Sequence, residues 1–204
     1  MLKMKSVLQA AIVTWLSMMA TVACAQATNY EEITAPKVTR GDQVEVVEFF
    51  MYTCPHCYDF ETHIGPWSEK VPEGATFVRI PATFRPEFEI HARAYYAAEM
   101  MDVLDKLHMP FFKAIHEQGK PLNTKESISA LADSVGIDGA ALAKNMDSFV
   151  VETKLRKGQQ ILKDYQLRGV PAVAVNGKYM ITSRAAQSYE GMISAINETV
   201  ALEQ

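Results

Sequence analysis

Hydrophobic and polar positions follow a strand pattern at both ends of the chain and a helical pattern between. Val44 to Phe50 (Val-Glu-Val-Val-Glu-Phe-Phe) is a β-branched and aromatic run that predicts a buried strand, with Glu48 as the anomaly inside it. After Met51-Tyr52-Thr53, helical spacing runs to about Ile64. Gly65-Pro66 is expected to kink or interrupt that helix, with a short helical piece resuming around Trp67 to Lys70. Val71-Pro72-Glu73-Gly74 reads as a turn and Thr76 to Ile80 as a second strand. From about Phe88 to Phe149 the chain is rich in Ala, Met and Leu. Its spacing breaks at Met109-Pro110, Gly119-Lys120-Pro121 and Gly136-Ile137-Asp138-Gly139, which predicts about four helices, one capped by Asn123 or Thr124. A further helix is expected over Phe149–Tyr165. Strand signals return at Ala172–Val175, followed by a two-residue hairpin turn at Asn176-Gly177 and a partner strand over Lys178–Ile181. Ala186 to Leu202 closes the chain as a helix. This is an α/β pattern: one domain built from both ends of the chain, 26–85 and 166–204, with an all-helical insertion at 86–165.

The first 25 residues stand apart. Lys3 and Lys5 precede an apolar stretch from Ala10 to Ala23, and small residues follow in two A-x-A patterns, Ala23-Cys24-Ala25 and Ala25-Gln26-Ala27. This reads as a secretory signal cleaved after Ala25, with Ala27 as the other cleavage position. Two rival readings are an uncleaved anchor, short for a span of about 20 residues, and a lipid-modified Cys24 following Thr21-Val22-Ala23. Removing the leader takes away two lysines and no acid. The balance of 20 basic to 24 acidic residues becomes 18 to 24, a net charge of −6. That argues against nucleic acid and against an anionic membrane surface as partners.

Cleavage leaves only Cys54 and Cys57 of the three cysteines. An exported chain with one C-x-x-C and no other thiol has no disulfide framework to build. A chain of this length also buries a core without staples. The pair therefore reads as reactive, within Cys54-Pro55-His56-Cys57 at a strand-to-helix junction. Pro55 suits a first helical turn. Unpaired N–H groups and the helix dipole favour a Cys54 thiolate, and His56 adds positive charge or a donor. A low Cys54 pKa stabilises the reduced form and makes the disulfide oxidising. Cys57, one turn further in, is the expected resolving thiol. A zinc site would have to recruit His63 and His91 in an unusual set. Haem attachment needs a histidine where Tyr58 stands, and a purely structural disulfide would close a very small loop.

The second element is Arg168-Gly169-Val170-Pro171-Ala172, at the mouth of a strand. Pro171 is a plain trans strand-starter or, if cis, leaves the Val170 backbone free to pair with an extended peptide. His63, His91, His108 and His116 share no spacing and read as surface or packing residues. Met100, Met101 and Met109 read as core filling before substrate groove. Tyr52, Tyr58 and Phe60 divide between ordinary packing and an apolar rim for unfolded substrates.

Val46–Phe50, Cys54-Pro55-His56-Cys57-Tyr58, Asp147-Ser148-Phe149-Val150, Arg168 to Ala172 and Val175-Asn176-Gly177-Lys178-Tyr179 together resemble the DsbA family of bacterial periplasmic thiol:disulfide oxidoreductases. The resemblance implies a thioredoxin fold with an inserted helical domain and a cis bond before Pro171. It also implies a redox-active Cys54–Cys57 disulfide in place of any cofactor or metal, and a monomer acting on reduced, unfolded exported proteins. Reoxidation is expected from a DsbB-like membrane quinone reductase. Glu48 is implied to be a buried acid beneath the site that modulates Cys57 proton transfer; read alone, it is equally a strand-edge residue facing solvent. Arg79 stands where the family often has lysine, and arginine keeps its charge when buried. The Gly65-Pro66-Trp67 segment also departs from the best-known member. A reductase or isomerase of the same fold, and a chaperone-like binding module with incidental cysteines, are the alternative functions.

Overall fold

The computed structural model describes residues 28–204; the leader and Cys24, with the cleavage and lipidation readings that fall on them, lie outside the described residues. Five strands form one sheet in the order β1-β5-β4-β2-β3: β1 Glu31–Glu32, β2 Val44–Phe50, β3 Ala75–Pro81, β4 Ala172–Val175 and β5 Tyr179–Thr182. β2 and β3 are parallel, and the other pairs are antiparallel. Helix α1, Pro55–Ser68, makes the crossover between β2 and β3. Between β3 and β4 lie α2 Glu89–Met100, α3 Leu104–His116, α4 Lys125–Ser134, α5 Gly139–Met146 and α6 Phe149–Asp164. The chain closes with α7 Ser183–Ala186 and α8 Tyr189–Leu202. No described helix is long and apolar enough to cross a membrane.

Strand β2 is buried along its whole length, which is why its hydrophobic run barely alternates. The two faces nevertheless separate by period two. Val44 and Val46 pack with Phe60 and Ile64 of α1, whereas Val47 and Phe49 meet Ile161 and Leu162 of α6. Phe50 reaches a third cluster built largely from the inserted helices, and its ring contacts Tyr95 of α2 and Phe112 of α3 at 5.4 and 5.9 Å. Cys57 belongs to that same cluster. Helix α6 serves both sides: Val151 and Leu155 join the helical core, and Ile161 and Leu162 join the sheet.

Two prolines are absorbed where the pattern predicted breaks. Helix α1 continues through Pro66 to Ser68, because a proline in the last turn deprives only the Thr62 carbonyl of its partner. Helix α3 runs unbroken through Pro110. There, Leu107, Phe111 and Phe112 are fully buried, each worth about 1.5–3 kcal/mol, against roughly 3 kcal/mol for an interior proline. The closing helix, by contrast, is broken at Gln187, which has φ of 64°. Thr124 caps α4, exchanging hydrogen bonds with Ser127. The hairpin loop has three residues rather than two, since Val175 pairs with Tyr179.

Asn176 and Gly177 both take positive φ, at 53° and 69°. The loop carbonyls of Gly177 and Lys178 receive the N–H groups of Ala35 and Ile33, which ties the N-terminal segment to the sheet. A Cβ on Gly177 would lie 2.2 Å from the Ala35 carbonyl oxygen. Gly177→Ala is expected to destabilise the protein by roughly 1–3 kcal/mol, read as a lower urea midpoint with unchanged slope.

Candidate redox site

Cys54 is the N-cap of α1, with extended backbone angles (φ −87°, ψ 115°), and Pro55 opens the first turn. The Cys57 N–H points at the Cys54 sulfur at 3.4 Å, and no carboxylate occupies the first turn. The two sulfurs are unbonded, so the structure shows the dithiol. Cys54 is half-buried and Cys57 wholly buried.

These positions give the sulfurs opposite acidities. Cys54 is lowered from 9.0 to about 6, first by the Cys57 thiol hydrogen bond, then by the Cys57 and His56 backbone N–H groups and the His56 charge, against the opposing pull of burial. Burial, donation to Cys54 and the nearby negative charges of Cys54 and Glu48 push Cys57 far up. His56 is exposed at the rim, its Nδ1 lying 3.3 Å from the Tyr189 hydroxyl at the start of α8. The Val170–Pro171 bond is cis, and the Val170 carbonyl oxygen lies 3.6 Å from Cys54 Sγ. A cleft of about 650 Å³ begins at this turn and is lined by Ile33, Ala35, Leu167, Arg168, Val170 and Pro171 among others, but by neither cysteine.

Beneath the pair lies a set of buried charges. Glu48 is fully buried rather than at a solvent edge, and pairs in register with Arg79 on β3. Arg79 Nε donates to Glu48 Oε2 at 2.7 Å, and its Nη2 donates to Glu61 Oε2 at 3.3 Å. Burial, offset in part by Arg79 and reinforced by Glu61, raises Glu48 from 4.5 to about 7. Glu61 pays the same desolvation but is held below the usual range by His108 and Arg79. His108 of α3 lies 3.0 Å from Glu61 Oε1 through Nε2 and 2.8 Å from the Tyr52 hydroxyl through Nδ1. Burial lowers its pKa and keeps it neutral. Neutrality fixes the tautomer: Nε2–H donates to Glu61, and Nδ1 accepts from Tyr52.

His108 is therefore not a mere packing residue. Glu61 and Tyr52 were likewise missed as members of the site. Glu61 stands four residues after Cys57 on the same helix face, a spacing visible in the sequence. His108 has no comparable signal, because its partners lie 47 and 56 residues away. His116 donates from Nε2 to the Tyr52 carbonyl at 2.7 Å and stacks on Tyr58. His91 is buried against the Pro121 and Leu122 carbonyls, and His63 meets Glu190 at the surface. Tyr52 and Phe60 are buried and do not form a rim, while Tyr58 is only partly covered. Met101 and Met109 pack on the helical core, and Met100 is exposed.

The Cys54 shift has a sign that stability measurements can read. The folded value, about 6, lies below the ordinary 9.0. Reduced protein thus gains stability from this thiol as pH rises from 6 towards 9, and loses it as pH falls through 6. Urea midpoints of the reduced protein, compared with those of Cys54→Ser over that range, are expected to show the rise only in the parent.

A sequence model described as the DSBA-like thioredoxin domain matches residues 66–197, a span that begins after the cysteines. The chain is 37% identical over 167 residues to the thiol:disulfide interchange protein DsbA of Azotobacter vinelandii, covering 82% of this chain and 78% of that protein. The Pseudomonas aeruginosa protein of the same name is 38% identical over 152 residues, covering 74% and 72%. The crystal structure of Pseudomonas aeruginosa DsbA superposes with a TM-score of 0.79 at 34% identity, covering 87% of this chain and 95% of that one. Proteus mirabilis DsbA, solved with a non-covalently bound peptide, gives 0.71 at 26% identity over 89% and 97%. The chain belongs to the DsbA family, with a thioredoxin fold carrying a helical insertion.

Proposed function

We propose that Cys54 and Cys57 are the redox pair of this thiol:disulfide oxidoreductase, and that the pair runs as a dithiol oxidase. The observation that carries this reading is the opposite placement of the two sulfurs, one at a helix start and one sealed in the core. A substrate thiolate attacks Cys54 Sγ of the enzyme disulfide. The Cys57 sulfur leaves, and Glu48, which holds a proton near neutral pH, is placed to supply one. A second substrate thiolate then attacks the substrate sulfur of the mixed disulfide and expels Cys54 as a thiolate. The substrate leaves oxidised by two electrons and the enzyme is left as the dithiol. A leaving group with a pKa of about 6 departs readily, which sets the direction of transfer.

Pro55 and His56 tune Cys54, the first by starting the helix and the second through its backbone N–H and charge. The Val170 backbone, beside Cys54 and before cis-Pro171, offers an edge on which an extended substrate chain can pair. Arg79 remains charged throughout and cannot relay a proton, so that role falls to Glu48. In this reading the protein works in the periplasm as a monomer after removal of the leader, and its similarity to DsbA proteins supports the periplasmic location. Its substrates there are reduced exported proteins, and a DsbB-like quinone-linked membrane protein restores the disulfide.

Cys57→Ser whose Cys54 has first been loaded as a mixed disulfide with glutathione is expected to exchange that glutathione, released as its thiolate, for a reduced unfolded substrate and to hold the substrate as a reductant-sensitive adduct. Cys54→Ser is expected to form none and to lose at least about a hundredfold in oxidation rate. Undiminished oxidation by Cys54→Ser would contradict the assignment, and undiminished protection of a client's folding by that variant would favour a binding module.

A further inference from the structure

The buried groups beneath Cys57 form one directed chain with a single loose end. Tyr52 O–H donates to His108 Nδ1, and His108 Nε2–H donates to Glu61 Oε1. Glu61 Oε2 and Glu48 Oε2 both accept from Arg79. Every member has its partners except Glu48 Oε1, which is buried and has none among the described residues. Glu45, the other acid of the same strand, shows what ordinary satisfaction looks like: its carboxylate accepts from the Val38 and Thr39 backbone N–H groups. Glu48 has only a share of one guanidinium.

We propose that His108 is a positioning residue for the redox centre: by holding Glu61 on Arg79, it keeps the guanidinium divided between two carboxylates and leaves one Glu48 oxygen free to exchange a proton with Cys57. This rests on the reading above that Glu48 is the proton partner of Cys57. The inserted helical region thereby takes part in the chemistry of the sheet, since His108 sits on α3 and its partners on α1 and on the loop after β2.

The step concerned is closure of the enzyme disulfide. When an oxidant disulfide has formed a mixed disulfide with Cys54, Cys57 passes its proton to Glu48 and attacks Cys54 Sγ. The oxidant's second sulfur leaves as a thiolate. The enzyme pair is oxidised by two electrons and the oxidant disulfide is reduced. Closure therefore requires Glu48 to be ionised, and its rate should rise through the Glu48 pKa of about 7.

Losing the His108 donor removes one of the two groups that keep Glu61 ionised in the interior. Glu61 then takes up a proton, Arg79 turns wholly to Glu48, and the repulsion from Glu61 vanishes. Glu48 should ionise at lower pH. The charged and titratable groups around His108 are Tyr52, Glu61, Arg79, Tyr95 of α2 and its own-helix neighbour Asp105. Those acting on Glu48 or its partners are Arg79, Glu61, Tyr52 and Cys57. None replaces the missing donor to Glu61.

The test uses glutathione disulfide as oxidant and follows decay of the enzyme–glutathione mixed disulfide, by acid quench and mass, as a function of pH. The parent should show a rising limb centred near 7. His108→Leu should move that midpoint down by about one pH unit, and Glu61→Gln should do the same. His108→Gln, whose amide can still donate to Glu61, should return it to the parent value. Tyr52→Phe, a single-atom deletion that leaves the ring packing in place, should give a smaller shift of the same sign. A limb abolished by Glu48→Gln but unmoved in His108→Leu overturns the inference alone. A limb that survives Glu48→Gln overturns the Glu48 role and the inference with it. Equal shifts in His108→Gln and His108→Leu overturn the hydrogen-bond account.

Discussion

Of the two sulfurs, only that of Cys54 is the N-cap of α1, where it meets the free N–H groups of the first turn. As N-cap, that sulfur receives the Cys57 N–H and the field of α1, and Cys57 is turned into the core instead. The rest of the architecture serves to keep α1 where this division holds. Phe60 and Ile64 anchor the helix on β2, and Trp67 donates to Asn197 of α8 at 2.8 Å. The inserted helices close over the Cys57 side through Phe50, Tyr52, Phe111 and Phe112. At pH 7 a thiol titrating near 6 rather than 9 is roughly tenfold more biased to the thiolate-bearing dithiol state. That corresponds to at most about 30 mV of redox potential, less after solvent screening of a half-exposed sulfur. The Cys54 shift thus sets the direction of the chemistry. The burial of Cys57 and the charges below it have to carry part of the magnitude.

Those charges are costly. Two carboxylates share one arginine in a nearly dry interior, an arrangement that breaks even at best on stability grounds. Glu48, raised to about 7, binds a proton in the folded state that the unfolded chain releases, so its contribution to stability falls as pH rises through that value. A site selected for stability alone would place an apolar side chain there. Retaining a half-satisfied acid next to a resolving thiol fits a proton-transfer role. Arginine at position 79 sharpens that role, because the cation is fixed and only the acids and thiols can titrate.

Much of this was legible in the sequence because the informative groups are local. Cys54-Pro55-His56-Cys57 carries its helix start with it, β2 announces its burial by composition, and Asn176-Gly177 marks a turn even though the loop proved one residue longer. The hydrophobic pattern alone predicted the helical insertion, and the family resemblance supplied the cis bond, which the residues left open. The failures share one cause, tertiary burial overriding a local rule. Pro66 and Pro110 should break helices, yet the apolar faces around them hold α1 and α3 together. The two-residue strand Glu31–Glu32 carries no hydrophobic pattern and exists because β5 offers it an edge. His108 looked like any scattered histidine, since nothing near it in sequence discloses Glu61 or Tyr52.

We propose that the Cys54–Cys57 couple is held towards its reduced form by a stabilised Cys54 thiolate, and hence oxidises substrates. The most direct test is the reduction potential of the couple, from equilibrium with a glutathione redox buffer at neutral pH. The expected value is clearly less negative than the roughly −270 mV of thioredoxin, shifting to more negative values when His56 is replaced by a neutral residue. A potential at or below thioredoxin's would contradict it and make the protein a reductase.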